Sequence, residues 1–310
     1  MLHVRVICPE SRSPAVCELL AREPGVTNLL VLPGAARRPA GDAVLFDVVR
    51  EAASTVLTKL RAAGLDIEGS IAVQNVDAEL SQVAVDADRE VPGYGSDAVV
   101  WEEIEARTSE DSSLSWTFLA FMTVATAIAG VGVLTDQPVL IVGAMVVGPE
   151  FGPLAGICVA LVRRRWAALR RSVRALLVGF SVAMAGTFAA TLLARLTGAV
   201  GPEMLDRTRA LTAFISRPDG FSLVVALLAG TAGLLSLTSA RSGVLIGVLI
   251  SVTTVPAAGN AAVALALGYP GVAGGALLQL LLNLAGIVTA GILVLSVQLR
   301  LGRRPVPPVR

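Results

Sequence analysis

Inside an apolar run at 139–162 the chain reads Gly148-Pro149-Glu150-Phe151-Gly152-Pro153. Two prolines flanked by glycines remove amide donors and crowd the preceding turn, so no regular helix passes through without losing backbone hydrogen bonds. Carbonyls and amides freed at membrane depth need protein, water or a ligand as partner. Glu150 sharpens the point, because an acid inside a span costs a few kcal/mol on insertion scales, about 2.5–3.5, and is expected to face a cavity, a cation or a proton path. The plainer alternative is a carboxylate hydrated near the cytosolic end. A matching place further on holds Ser251, Thr253, Thr254, Pro256, Gly259 and Asn260. Gln279 and Asn283 lie one helical turn apart and share a face. The candidate site for a substrate or ion is therefore Pro149, Glu150, Pro153, Gly156, Thr253, Thr254, Pro256, Asn260, Gln279 and Asn283. A packing kink with small residues, and interhelical hydrogen bonding without transport, are the competing readings. Asp136 beside Pro138 reads as a hydrated or capping residue of an outer turn.

The elements that must position these residues are membrane helices. The chain has 310 residues, 54% hydrophobic and 16% charged, with mean hydropathy +0.73, which marks an integral membrane protein rather than a soluble domain. Apolar runs at 114–134, 139–162, 173–196, 221–237, 244–267 and 272–299 are each long enough, or nearly so, to cross about 30 Å of hydrocarbon. Landmarks repeat between the two halves. Ala129-Gly130, Gly143, Pro153, Gly156, Ala175-Leu176-Leu177 and Ala185-Gly186 are followed, in the same order, by Ala229-Gly230, Gly247, Pro256, Gly259, Ala276-Leu277-Leu278 and Ala285-Gly286. Three spans per copy place the second copy upside down. The reading is an α-helical integral membrane protein with six spans as two inverted three-helix repeats, about 114–197 and 221–299, and interruptions at equivalent places of such repeats point to a midplane site. Arg163, Arg164, Arg165, Arg170, Arg171 and Arg174 follow the second span, and Arg300, Arg303, Arg304 and Arg310 fill the 300–310 tail. The positive-inside rule puts both in the cytosol, and with them the amino terminus. The loop at 197–220 falls outside.

Charge divides the chain. Residues 1–113 hold 10 Lys/Arg against 19 Asp/Glu, whereas 114–310 hold 15 against 5, so two different bodies are joined. No signal peptide is read at 2–10. Val4, Val6 and Cys8 alternate in a strand closed by Pro9; a helix with Val16, Leu19 and Leu20 follows and stops at Pro24-Gly25. Strands at 26–32, ending at Pro33-Gly34, and 43–49, a helix at 51–63, and a strand at 71–76 complete a βαββαβ order, that of a ferredoxin-like α+β cytosolic domain over 1–78. Residues 79–113 read as an acidic linker with a hinge at Pro92-Gly93-Tyr94-Gly95 and a short juxtamembrane helix carrying Trp101 and Ile104. His3 reads as a surface strand residue without an adjacent acid, and Arg37-Arg38 as a solvated loop. Cys8, Cys17 and Cys158 lack metal-ligand spacing and read as buried thiols.

Several motifs carry a family likeness. Ala127-Ile128-Ala129-Gly130 through Val133-Leu134-Thr135-Asp136, then Ile141-Val142-Gly143-Ala144-Met145 and Pro149 to Pro153, with Gly247-Val248-Leu249-Ile250-Ser251-Val252-Thr253 and Pro256, resemble the uncharacterised bacterial hydrophobic-domain family called domain of unknown function 389. The likeness runs from about Trp101 onward, and the head resembles the soluble domain of some members. At Glu150-Phe151 the chain departs from the family pattern, which has an apolar residue and methionine there. The resemblance implies a membrane fold in a bacterial cytoplasmic (inner) membrane and supplies no substrate or cofactor. The expected function is a secondary transporter or ion-coupled carrier of a small polar solute or ion, working as a homo-oligomer in the lipid bilayer and without a nucleic-acid partner. A membrane-anchored sensor or scaffold using the head is the alternative. Paired acids, a histidine cluster and a glycine-flanked nucleophile do not occur at membrane depth, which argues against an enzyme.

Overall fold

The computed structural model describes residues 1–76, 80–91, 98–206, 211–216, 219–239 and 253–301. The chain folds as two compact units, one built mostly from Met1–Ile104 and the other mostly from the helices that follow.

In the head, β1 (Leu2–Cys8), α1 (Ser13–Ala21), β2 (Val26–Arg37), β3 (Ala40–Val48), α2 (Arg50–Ala62), the short α3 (Leu65–Glu68) and β4 (Ser70–Asn75) follow one another. The strands lie in the order β2-β3-β1-β4, and every neighbouring pair is antiparallel. Period-two alternation sets which face is covered: Leu2, Val4, Val6 and Cys8 of β1 and Val44, Phe46 and Val48 of β3 are fully buried in one core with Leu20 of α1 and Val56 and Leu60 of α2. The registers Val4↔Phe46 and Val6↔Val44 place these residues side by side. Burial pushes the Cys8 thiol up, which keeps it protonated and inert. Cys17 is only half-buried, and all three cysteines are free thiols.

Three expectations for the head need correction. Pro33-Gly34 does not end the second strand: β2 continues to Arg37 through a register shift between Leu32 and Ala36. A bulge tolerates a residue without an amide hydrogen and one with positive φ, here Gly34 at φ 61, whose N–H donates to Asp42 Oδ1 at 2.8 Å. Arg37 therefore ends a strand, and Arg38 starts the hairpin turn. His3 is a partly exposed strand residue as expected, and the strand pairing brings it an acid distant in sequence, Asp47, at 2.7 Å. The acidic linker contains a helix, α4 (Gln82–Glu90), capped by Ser81 Oγ accepting from Ala84 N at 3.3 Å and burying Ala84 and Ala87. The expected hinge at 92–95 lies outside the described residues.

The juxtamembrane helix α5 (Trp101–Asp111) is longer than a single turn or two. Its start belongs to the head: Trp101 N–H donates to Ser54 Oγ at 3.1 Å, Ser54 Oγ donates to Glu102 Oε2 at 2.7 Å, and Asn75 Nδ2 donates to Glu103 Oε1 at 2.8 Å.

In the helical unit, α6 (Trp116–Leu134) is capped by Ser115, whose Oγ accepts from Phe118 N at 3.1 Å. The expected second span is two helices, α7 (Pro138–Val147) and α8 (Phe151–Val162), bent by 52°. Then come α9 (Trp166–Leu196), α10 (Glu203–Asp206), a 3-10 turn (Ala213–Ser216), α11 (Gly220–Thr238), α12 (Thr254–Leu267) and α13 (Pro270–Leu301). Among the described residues four helices, α6, α9, α11 and α13, are long and apolar enough to cross a membrane, and the bent pair makes a fifth if counted as one span. Of the expected span 244–267 only α12 and Thr253 are described; Ser251 and 244–252 as a whole lie outside the described residues. The third span begins earlier than expected, because the arginines 170, 171 and 174 extend α9 rather than a loop. Arginine is a good helix former and its apolar stem tolerates a membrane edge.

Helix α12 is the centre of the unit, with all its residues buried except Leu265. Seven of its fourteen residues are alanine or glycine, which lets neighbouring backbones come close. A Cβ at Gly259 would stand 2.7 Å from the Thr126 carbonyl oxygen and 3.0 Å from Gly130 N, both backbone atoms of α6.

Two predictions follow from this packing. Gly259→Ala forces α6 and α12 apart and is expected to destabilise the chain by about 1–3 kcal/mol, whereas Gly143→Ala, where a Cβ meets nothing within 4 Å, leaves the unfolding midpoint unchanged or higher. Equal midpoints for the two variants in thermal unfolding would contradict the close crossing. In the head, burial raises the Glu51 carboxyl above its ordinary range and Asp88 pushes the same way, against the helix's own amide. A carboxyl raised on folding contributes stability below its unfolded pKa and loses it as pH rises through the folded value. Glu51→Gln is thus expected to raise the unfolding midpoint at pH 7 and to give no gain near pH 4; a gain that is the same at both pH values would show that ionisation is not its source.

Candidate functional site

The break between α7 and α8 comprises Gly148, Pro149 and Glu150. Ten residues of α7 precede it and twelve of α8 follow, about 15 and 18 Å at helical rise, so it divides the apolar length near its middle. Gly148 N–H still donates to Ala144 O at 3.1 Å and closes α7, and Pro149 contributes no amide hydrogen. Pro153 is the third residue of α8, and Pro256 is the third residue of α12. Amides in a first turn have no partner within the helix, so a proline there loses nothing. The prolines thus mark where two short helices begin, and Glu150 and Thr253 occupy the same place just before each.

Those two starts are joined by side chains. Thr254 Oγ1 donates to Glu150 Oε1 at 2.6 Å. From α13, Asn283 Nδ2 donates to Thr253 Oγ1 at 3.0 Å, and Gln279 Nε2 donates to Asn283 Oδ1 at 3.1 Å. Two strings of hydrogen bonds therefore end on adjacent residues of the α12 start. Glu150 is 5% exposed, and Gln279 and Asn283 are 2% exposed. Among the described residues, Glu150 Oε2 and Gln279 Oε1 have no hydrogen-bond partner. Gly148 makes the room: a Cβ there would collide with Glu150 Oε2 and stand 2.8 Å from Val255 Cγ2.

Of the residues expected from the sequence, Glu150, Thr253, Thr254, Gln279 and Asn283 are brought together in this network. Pro149, Pro153 and Pro256 shape its backbone. Asn260 is fully buried on α12, two turns beyond Thr253 on the same face. Gly156 is not brought into this network. Six residues beyond Glu150 it has turned to another side of α8, where a Cβ would meet Ser112 Oγ and Ser172 Oγ, which are hydrogen-bonded to each other at 2.9 Å. Asp136 has a definite task at the far end of α6, where Oδ1 accepts from Thr212 Oγ1 at 2.8 Å and Oδ2 from Leu211 N at 3.3 Å.

Some contacts were not expected. Glu105 Oε1 accepts from Arg163 Nε at 2.9 Å and Glu105 Oε2 lies 3.6 Å from Arg165 Nη2, so the acidic segment meets the arginine-rich turn. Asp111 packs over Gly152, close to the start of α8, and its carboxyl is raised by burial, with Glu110 adding to the rise and Arg107 opposing it. The opposite charge of 102–111 and 163–174 is the only trace of these contacts in the sequence.

The arrangement places one carboxylate, hydroxyls and carboxamides at an interrupted helix, groups that can hydrogen-bond or coordinate a polar species. An uncharacterized protein of Methanocaldococcus jannaschii is 24% identical over 198 residues, 64% of this chain, and the match spans 59% of that protein's length. No solved structure matches the chain. Residues 145–289, which include the α7–α8 break, α12, Gln279 and Asn283, match the family described as Domain of unknown function (DUF389), the family that the sequence motifs resemble.

Proposed function

We propose that the chain is a secondary transporter or ion-coupled carrier of a small polar solute or ion. The carrying observation is the buried Glu150 at a mid-length helix break, hydrogen-bonded to Thr254 at the start of a second short helix. In this reading the six spans form two inverted triplets, and α8 and α12 are the equivalent half-helices. Their shared design supports it: proline third, and glycine three residues later, at Pro153 and Gly156 and at Pro256 and Gly259. The binding set is Pro149, Glu150, Pro153, Thr253, Thr254, Pro256, Asn260, Gln279 and Asn283. In this reading the arginines at 163–174 and in the tail face the cytosol of a bacterial inner membrane, the ferredoxin-like head is cytosolic too, and the carrier works as a homo-oligomer. Helix α5 is the element through which the head would regulate it.

The head supports a second reading, as a sensor or scaffold. Its helices cover one sheet face, and the other carries Leu30 and Leu32, 51% and 43% exposed. Deleting residues 1–78 separates the two: flux that survives belongs to a carrier with a regulatory head.

The direct test is reconstitution in proteoliposomes, with currents or uptake recorded after concentration jumps of amino acids, organic acids, polyols and inorganic salts. The wild-type chain is expected to translocate at least one class. Glu150→Gln is expected to reduce that flux at least tenfold and Asn283→Ala to reduce it partly, both with normal folding. Unchanged flux in Glu150→Gln would remove Glu150 from the site, and no wild-type flux across the panel would favour the sensor.

A further inference from the structure

The hydrogen-bond accounting at the helix break narrows what the guest is. We infer that the site takes a small monovalent cation, an alkali ion or ammonium, which competes with a proton for Glu150. This rests on the carrier reading's site and deepens it. The two buried side-chain atoms named above as unpartnered, Glu150 Oε2 and Gln279 Oε1, are both acceptors. Within the network Gln279 donates to Asn283, Asn283 to Thr253 and Thr254 to Glu150. These two acceptors at the break call for a guest that brings positive charge or hydrogens.

The two half-helices agree. The amide-rich start of α8 already has Glu150 as its negative neighbour, which leaves little attraction for an anion there. The carbonyl-rich end of α7 faces the same break and favours a cation. Among the described residues no positive side chain competes for the carboxylate. Helices α6, α7, α8, α11 and α12 contain no Asp, Glu, Lys or Arg. On α13 the only charge is Arg300 near its end, and on α9 Arg170, Arg171 and Arg174 lie at the start, with Arg195 near the other end, donating to Ala266 O at 3.0 Å. From α5, Asp111 packs over Gly152, two residues on and turned away from Glu150 around α8. Ionised Glu150 with a bound cation and protonated Glu150 without one carry the same net charge, so exchanging the two leaves the low-dielectric site neutral.

The test uses the purified full chain in lipid nanodiscs, without any flux. Unfolding midpoints are measured in sodium, potassium, ammonium and N-methylglucamine chlorides at constant ionic strength, at pH 5.5 and 8, and again with gluconate in place of chloride. At least one of the three small cations is expected to raise the midpoint by several degrees over N-methylglucamine, more at pH 8 than at pH 5.5 and equally with either anion. Glu150→Gln is expected to lose the rise. Because that variant could fold poorly, wild-type chain is also treated with a hydrophobic carbodiimide and Glu150 labelling is followed by mass spectrometry; the same cation is expected to slow it at least fivefold. A rise that follows the anion, one that persists in Glu150→Gln, no rise with any cation, or labelling indifferent to cations overturns the inference. Cation binding without flux leaves the inference standing and removes the carrier reading; flux that ignores cations does the reverse.

Discussion

Hydrocarbon offers no hydrogen bonds, so a helix interrupted within it must find other partners for the groups it frees, each worth several kcal/mol if left bare. The helical unit is organised around that constraint. Prolines placed third in α8 and α12 limit the number of amides that need partners. Glu150 and Thr253 then stand where the backbone is open, and Thr254, Asn283 and Gln279 tie the openings together. Glu150 Oε2 and Gln279 Oε1 remain as acceptors at the break, and they give it its chemistry.

Such a network needs helices that approach closely. The alanines of α12 and the glycine at 259 bring it against the backbone of α6, and Gly148 leaves space for the carboxylate beside Val255. Large side chains at these positions would separate the elements before any polar contact formed. The same logic of small residues allowing backbone proximity operates at Gly152 and Gly156, where the partners are Asp111 and a serine pair from the segment leading into α6 and from α9. Packing and polarity are thus specified by one set of positions.

Much of this was legible in the sequence because it depends on local spacing. Alternation revealed β1, hydropathy revealed the long helices, and the proline-x-x-glycine pairs marked α8 and α12. The four-residue spacing of Gln279 and Asn283 placed them on one face, which is the face that meets Thr253. What depends on long-range register was not legible. His3 meets Asp47 only because β1 pairs with β3, and Glu105 meets Arg163 only after α8 has crossed the unit. Gly156 sits apart from the network, and a shared motif says nothing about which side of a helix a neighbour occupies. The bulge at Pro33-Gly34 and the helix in the acidic segment were missed where breaker and charge signals outweighed weaker patterns, the paired register of β2 and the alanines at 84 and 87.

The most direct measurement is a density map of the chain in a lipid nanodisc at a resolution that shows ordered water and ions. The expected map breaks the second span at Gly148–Glu150, keeps Thr254 on one oxygen of Glu150, and shows non-protein density within hydrogen-bonding or coordination distance of the other. A continuous helix from Pro138 to Val162, or a Glu150 whose two oxygens are both closed off by protein side chains, would contradict a guest site at this depth.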